Sequence, residues 1–370
     1  MKIIFPLEVF YPSQAGGPAN SVYWLAKNLK KHGFEPIIVA TDKGISADVP
    51  LNRWIENETG RTIYIKTRFI HFPLYQTVVS LLNFSRADVV HLSSFFFPTA
   101  FVTAFAARLF GKKIVWSARG ELDKFSLNYS RRRKRPILWC IKNIISDYPV
   151  FHSTSDEETG YIKKIFGGEA RIFQIPNYIE VAPKSVRMAG KYLLYIGRIH
   201  PKKAIDNIIK ALAMSEAFLQ SDFALRIAGK GKPEYENELR ALVSDLKMDE
   251  RVVFVGQVEG EAKSKLLADA YFTMMPSHSE NFGVVVLESL VQNTPVLASI
   301  KTPWKSLEKE KIGFWTDNTP EALAQVIDRI LRMDDSEYQG YRERGRDFVI
   351  REFDIRNNIC KWIELYKNLR

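Results

Sequence analysis

The two halves of this 370-residue chain open with the same local pattern, a short apolar segment, a loop and an amphipathic segment with the 3.6-residue period of a helix. The first half starts with residues 2–9 and the second with residues 191–197. Further short apolar segments follow in each half: 37–40, 89–92, 114–116 and 150–153, then 224–228, 252–255, 272–275 and 295–298. Because helical segments lie between most of them, the pattern predicts an α/β fold with two parallel, doubly wound sheets.

The length of the chain also favours two domains. The polar stretch 177–190 contains Pro and Gly and is predicted to link two complete units. We therefore expect a first Rossmann-like domain at 1–180, a second at 190–354 and a last helix at 355–370.

Cysteine usage and the apolar segments indicate the compartment. Cys140 and Cys360 are far apart and form no CxxC pattern, so neither a disulfide framework nor a zinc site is expected. The apolar run at the N-terminus is too short for a signal peptide. Residues 92–107 are uncharged but shorter than the roughly 20 residues of a membrane span, and a buried helix is predicted there. A reducing cytoplasm is the simplest location.

The net charge of +11 indicates an anionic partner, and the densest cluster is Arg131-Arg132-Arg133-Lys134-Arg135. Two interpretations stay open. The run is either the solvated start of a helix or a patch that contacts anionic lipid headgroups, which would place the protein peripherally at the inner face of the membrane. No nucleic-acid-binding motif accompanies the run, so nucleic acid is not expected as a partner.

The most informative segment is 277–299, in which seven residues separate Glu280 from Glu288. Val284, Leu287, Glu288 and Val291 recur at helical spacing, which predicts Glu280 just before a helix and Glu288 about two turns inside it. The unpaired amides of the first turn favour an anionic oxygen. Carboxylates beside such a site suit the hydroxyls of a sugar next to a phosphate.

Two cations follow the first strand of the second half. Arg198 comes directly after Gly197, and Lys203 lies five residues further on, before a helix. A guanidinium fork and an ammonium point charge can grip one diphosphate. A pair of solvated surface cations is the alternative. No Asp-x-Asp motif occurs to hold Mg²⁺ or Mn²⁺, so no metal and no other cofactor is expected.

The segment 277–299 resembles the E-x7-E segment of the family 4 retaining glycosyltransferases. Residues 195–204 resemble that family's G-R-x3-x-K-G motif, with Ala204 in place of the last glycine. The resemblance implies the GT-B fold, in which two Rossmann-like domains face each other across a cleft and the last helix crosses back onto the first domain. It also implies that a sugar moves from a nucleotide-diphosphate sugar to a glycan or lipid-linked glycan acceptor, as in bacterial surface polysaccharide biosynthesis.

The resemblance further implies roles for single residues. Glu280 and the amides of 281–284 would hold the donor sugar and the distal phosphate, Glu288 the ribose, and backbone near Gly256 the nucleobase. The loop with Gly16 and Gly17 would approach the diphosphate. The predicted donor-side residues are Gly16, Gly17, Arg198, Lys203, Gly256, Gln257, Glu280, Asn281, Phe282, Gly283, Val284 and Glu288.

In the first domain the sequence departs from the commoner pattern. Arg119 occupies the position where many relatives have a histidine facing the donor sugar, as in the P-R-G-x-L variant of the family. Because an arginine stays protonated, it would stabilise leaving-group charge or bind an acidic acceptor. A structural arginine paired with Glu121 or Asp123 is the alternative. His91 is interpreted either as an acceptor-side residue or as a structural histidine.

Two other classes of protein remain to be weighed. A sugar-nucleotide epimerase of the same double fold would need several acid/base residues around the sugar, whereas the chain has six histidines in all. A basic surface-binding protein without activity would not need Arg198, Lys203, Glu280 and Glu288 together.

Overall fold

The computed structural model describes residues 1–13, 17–69, 73–128, 131–188 and 190–369, and the backbone alone of Pro18. The chain forms two compact units. One comprises Met1–Glu180 and Asp354–Arg370, and the other Val181–Phe353. The stretch 177–190, predicted as a linker, therefore contains the point at which one unit ends and the other begins.

The first unit is built on an eight-stranded sheet in the order β3-β4-β2-β1-β5-β6-β7-β8. Its strands are β1 (Lys2–Leu7), β2 (Glu35–Thr41), β3 (Trp54–Asn57), β4 (Gly60–Ile65), β5 (Val89–Ser93), β6 (Lys113–Ser117), β7 (Val150–Ser153) and β8 (Ile172–Gln174). All pairs are parallel except β3 with β4, which form an antiparallel edge. The sequence pattern did not predict β3, β4 or β8, because these strands are short or partly polar.

The helices of the first unit are α1 (Gly17–Lys31), α2 (Leu74–Leu82), α3 (Pro98–Leu109), α4 (Lys124–Asn128), α5 (Arg131–Cys140) and α6 (Asp156–Phe166). A π-helical turn at Ile141–Ile145 continues α5. The buried helix predicted at 92–107 is α3, which begins later, at Pro98, and ends at Leu109. Prediction and structure also differ in burial, since Val102 and Leu109 on this helix are exposed.

The second unit has a six-stranded, all-parallel sheet in the order β11-β10-β9-β12-β13-β14. Its strands are β9 (Tyr192–Ile196), β10 (Ala224–Ala228), β11 (Val252–Gly256), β12 (Phe272–Met275), β13 (Val296–Ser299) and β14 (Gly313–Thr316). Its helices are α7 (Ile205–Met214), α8 (Glu216–Gln220), α9 (Pro233–Asp245), α10 (Gly260–Asp269), α11 (Val284–Val291), α12 (Ser306–Lys309), α13 (Pro320–Leu331) and α14 (Asp335–Phe353). The order of the strands reverses at β9, so the loops after β9 and β12 meet at a switch point where ligands of such sheets bind.

The last helix, α15 (Ile355–Lys367), belongs to the first unit, where it packs against α1. Its apolar face buries Ile359, Trp362 and Tyr366, and the Asp354 side chain caps its first turn. Within the described part of the chain, every helix is too short or too polar to span a bilayer.

Candidate functional site

An ion pair joins the two loops at the switch point of the second sheet. Lys203 Nζ donates to Glu280 Oε2, and both side chains are mostly buried. Ser277 Oγ donates to the same carboxylate oxygen at 3.2 Å. The backbone N–H of His278 also donates to the carbonyl of Lys202 at 2.9 Å. The sequence thus predicted both charged residues, and the structure brings them into direct contact.

The turn that carries Lys203 ends in a left-handed residue. A 3₁₀ turn at Pro201–Lys203 is followed by Ala204, whose φ is +50° and whose side chain is fully buried. This conformation costs a residue with a Cβ about 1–2 kcal/mol. The geometry explains why a glycine suits this position of the motif, and the buried methyl group of Ala204 offsets part of the cost.

Helix α11 begins at Val284, one residue after a turn that only glycine adopts readily. Gly283 has φ +78°, and a Cβ at this position would lie 2.7 Å from Met275 Sδ. The helix therefore starts later than predicted. Glu288 is its fifth residue and lies about one turn inside it, not two.

The residues before this helix are held by aromatic packing. Phe282 is buried and meets Trp304 edge to face at 5.1 Å, while the indole N–H of Trp304 donates to the carbonyl of Phe282. Asn281 is half-buried. Packing and a hydrogen bond therefore hold the backbone at Phe282, within the segment 281–284 that is predicted to contact the donor.

Glu288 is the second charged residue of the segment, and its partner was not anticipated. Lys263 on α10 donates to Glu288 Oε1 at 2.7 Å, and both side chains are mostly buried. The sequence offered no signal for Lys263, because a lysine on a polar helix surface is ordinary. Ser277, also missed, does lie within the informative segment.

Backbone hydrogen bonds connect the neighbouring loops of this edge of the sheet. Gly197 N donates to Ala228 O at 3.0 Å, and Gly229 N donates to Gly256 O at 2.7 Å. Gly256 itself has φ +80°. The glycine-containing turns after β9, β10 and β11 therefore adjoin one another. Arg198 and Gln257 are exposed on these loops, and no ion pair of Arg198 is present among the described residues.

The structure describes one of the two glycines of the loop predicted in the first unit. Gly16 lies outside the described residues. Gly17 is the first residue of α1, and a Cβ there would meet no atom of the described residues within 4 Å.

Arg119 lies after β6 with a positive φ of +54°. Its Nη1 donates to Ser21 Oγ and to Asn177 Oδ1, both at 3.2 Å, while its buried Nε has no partner among the described residues. Burial lowers the pKa of Arg119 to about 10, so the guanidinium remains charged at neutral pH.

The alternative pairing of Arg119 with Glu121 or Asp123 is wrong. Glu121 accepts from Ser94 Oγ and the Phe95 amide, both at 2.6 Å, and burial raises its pKa to about 7. Asp123 accepts from Ser126 at the start of α4.

His91 is fully buried, with both ring nitrogens engaged. Its Nδ1 lies 2.6 Å from Tyr366 Oη, and its Nε2 lies 2.8 Å from Ser117 Oγ. The ring also packs against Phe5 and Trp362. The prediction that His91 binds substrate is therefore wrong. His91 is a structural histidine, as the alternative interpretation had it.

Comparison with known proteins matches each half of the chain to a glycosyltransferase family model. The model of "Glycosyltransferase Family 4" matches residues 15–182, and that of "Glycosyl transferases group 1" matches residues 180–348. An uncharacterized glycosyltransferase of Methanocaldococcus jannaschii is 32% identical over 38% of this chain and 36% of its own. The GDP-mannose:cellobiosyl-diphosphopolyprenol alpha-mannosyltransferase of Xanthomonas oryzae is 23% identical over 99% of this chain and 96% of its own.

Solved structures show the same fold. The sucrose-phosphate synthase of Thermosynechococcus elongatus superposes with a TM-score of 0.80 at 21% identity, covering 100% of this chain and 99% of that one. HepE of Anabaena, in complex with UDP and glucose, gives 0.78 at 17% identity and covers 100% of both chains. Two Rossmann-like units with these loops define the GT-B class of glycosyltransferases. Within that class, the chain belongs to glycosyltransferase family 4.

Proposed function

We propose that this glycosyltransferase uses a nucleotide-diphosphate sugar, retains the anomeric configuration, needs no metal ion and glycosylates a glycan or lipid-linked glycan. The observation that carries the donor half is the Lys203–Glu280 pair at the switch point, directly before α11. The pair brings a cation and a carboxylate together, and the proposal assigns the cation to the diphosphate and the carboxylate to the donor sugar.

The diphosphate contacts follow from the charges of the second unit. Lys203 supplies a cation held in place by Glu280, and Arg198 supplies an exposed guanidinium on the same loop. The N-terminal amides of α11 add partial positive charge for the distal phosphate. Glu288, oriented by Lys263, is suited to the ribose hydroxyls.

Cations can replace a metal ion in neutralising the departing diphosphate. Among the described residues, no group of three or more His, Cys, Asp or Glu side chains could hold a metal. The proposal is therefore that Lys203 and Arg198, and not a metal ion, neutralise the departing diphosphate.

The retaining step is proposed as a same-face displacement. Glu280 accepts hydrogen bonds from Lys203 and Ser277, so its carboxylate is engaged and poorly suited to attack the anomeric carbon. In this mechanism the bond from the anomeric carbon to the phosphate oxygen breaks as the acceptor oxygen bonds to that carbon. The departing phosphate takes the acceptor proton. Arg119 is charged at neutral pH and would stabilise the phosphate.

For the acceptor we propose a lipid-linked glycan of bacterial surface polysaccharide biosynthesis. The mannosyltransferase from Xanthomonas is named for a diphosphopolyprenol acceptor. Arg131, Arg132, Arg133 and Arg135 are exposed at the start of α5, where they could contact anionic headgroups at the cytoplasmic face of the membrane.

The test is a thermal-shift series with UDP, GDP, ADP and their sugars in the presence of EDTA. One nucleotide diphosphate should raise the unfolding temperature, because it binds the native state. Lys203→Met should weaken that binding by about 10- to 100-fold through loss of a charge-assisted contact. Lys210→Met, which removes a partly exposed lysine of α7 that pairs with Asp206, is the matched control.

Four results would overturn parts of the proposal. If no nucleotide raises the unfolding temperature, the proposed donor site is wrong. Loss of turnover in EDTA would show that a metal ion is needed. Isomerisation of the donor without acceptor would indicate an epimerase. A covalent glycosyl adduct on Glu280 would replace the same-face mechanism.

A further inference from the structure

Helix α2 presents an apolar face to solvent. From Leu74 to Leu82 it contains no charged residue, and Leu74, Val78 and Leu82 recur every four residues along one side. Their exposed fractions are 73%, 49% and 72%. The solvent-facing side of a helix in a soluble domain is normally polar, so this face needs a partner.

Helix α3 extends the same surface. Thr77 on α2 and Thr99 on α3 share a hydrogen bond of 3.0 Å, so the two helices lie side by side. Both lead into neighbouring parallel strands, β5 and β6, and their C-terminal ends therefore lie at the same edge of the sheet. Leu109 and the following Phe110 are 84% and 72% exposed there. We name Leu74, Val78, Leu82, Val102, Leu109 and Phe110 the α2–α3 face.

The stretch of chain that contains the α2–α3 face has a large excess of basic residues. Between Leu74 and Asp147 the sequence has twelve Lys or Arg and four Asp or Glu, a net +8 of the chain's +11. One of the acids, Asp147, is paired with Arg108. The π-helical turn after α5 contacts α3, which brings the helix of the arginine run to this side of the sheet. Trp139 on α5 is a further exposed aromatic residue, at 64%.

We propose that the α2–α3 face docks on an anionic lipid bilayer, with its apolar side chains in the interface and the surrounding cations on the headgroups. Apolar residues rimmed by Lys and Arg are the combination that holds a protein in the interfacial plane of a membrane. A second copy of the chain fits less well, because it would oppose two surfaces of the same sign. The inference rests on the proposed lipid-linked acceptor. It extends the membrane contact from the arginine run to the apolar residues of the α2–α3 face.

The experiment measures cosedimentation with vesicles of phosphatidylcholine and phosphatidylglycerol. The double variant Leu82→Asn/Leu109→Asn removes apolar surface without changing charge, and it should lower the partition coefficient about tenfold or more. The control, Met214→Asn/Leu219→Asn, changes two side chains of the second unit that are 51% and 52% exposed, and it should partition like the wild type. A second variant, Leu74→Asn/Val78→Asn, tests the other end of the face.

Equal partition of the wild type and both α2–α3 variants would overturn the proposal. A concentration-dependent dimer of the wild type that Leu82→Asn/Leu109→Asn abolishes would also overturn it, because the face would then belong to a second copy. Nucleotide thermal shifts on the same samples report on the donor site separately. A variant that loses vesicle binding but keeps its nucleotide thermal shifts therefore reports on the α2–α3 face. A protein that binds vesicles but shows no nucleotide thermal shift would instead count against the proposed function.

Discussion

Glu158 holds the turn that presents Arg119, and no motif indicated it. Arg119 and Gly120 have positive φ angles of +54° and +74°. The buried carboxylate of Glu158 accepts from the Gly120 amide at 2.6 Å and from the amide and hydroxyl of Thr154 at 2.7 and 2.9 Å. Burial raises the pKa of Glu158, while these hydrogen bonds oppose the rise. Glu158 is thus a positioning residue for Arg119.

Glu158→Gln should lower kcat about 10- to 100-fold and leave the nucleotide dissociation constant within about twofold, because an amide nitrogen would face an N–H donor and shift the turn. The assay compares single-turnover rates with nucleotide thermal shifts. The exposed neighbour Glu157→Gln is the control. A Glu158→Gln protein with wild-type kcat would show that the turn holds Arg119 without this carboxylate.

At the level of elements, the start of α11 is fixed by the conformation of one residue. The apolar periodicity predicted a helix from about residue 281, because periodicity cannot detect the left-handed turn at Gly283. Three residues are therefore extended or turned rather than helical. This is why Glu288 lies one turn from the helix start.

Substitution of Gly283 tests this element. Gly283→Ala should lower the free energy of unfolding by about 2–4 kcal/mol, since the positive φ and the contact with Met275 both oppose a Cβ. Gly256 has a similar φ of +80°, but a Cβ there would meet no atom of the described residues within 4 Å. Gly256→Ala should therefore cost about 1–2 kcal/mol. Urea denaturation measures both. Equal losses would mean that Met275 moves aside at no cost.

At the scale of the whole chain, a buried chain of hydrogen bonds ties the C-terminal helix to the first sheet. Ile175 O can only accept, so His152 Nε2 donates to it, at 2.8 Å, and His152 Nδ1 accepts from Ser117. Ser117 in turn accepts from His91 Nε2, and His91 Nδ1 accepts from Tyr366 Oη. Every donor and acceptor is satisfied only while both histidines are neutral. Burial lowers the pKa of His91 well below its usual value and that of His152 to about 3.

The pH dependence of stability follows from these shifts. Between about pH 3 and 6.5 the unfolded chain binds a proton at His152 that the folded chain does not, so this residue lowers stability as the pH falls. Glu121, with its pKa raised to about 7, acts in the opposite direction.

Comparison with His152→Asn cancels the contribution of Glu121, which both proteins share. The variant should be less stable at pH 7.5, and its deficit should shrink by about 1 kcal/mol at pH 5.5. Urea denaturation at the two pH values measures the deficit. A deficit independent of pH would mean that His152 is protonated in the folded protein.

The amino-acid sequence by itself determined the two α/β units, most strand positions and which charged residues lie in and after the loops that follow β9 and β12. Each of these depends on residues close together in the chain: periodicity defines strands and helices, and Glu280, Glu288, Arg198 and Lys203 stand within short motifs. Their loops meet because the carboxyl ends of parallel strands share one edge of a sheet.

Only the tertiary structure decided what each side chain contacts. His91 is structural because Tyr366, 275 residues away, closes the buried chain of hydrogen bonds. Lys263 contacts Glu288 from another helix. Arg119 is bound by Ser21 and Asn177, and not by the acidic residues that follow it in the sequence. The exposure of the α2–α3 face likewise depends on which helices cover the sheet. The physical reason is that burial and pairing are set by residues distant in the chain, whose proximity no local pattern records.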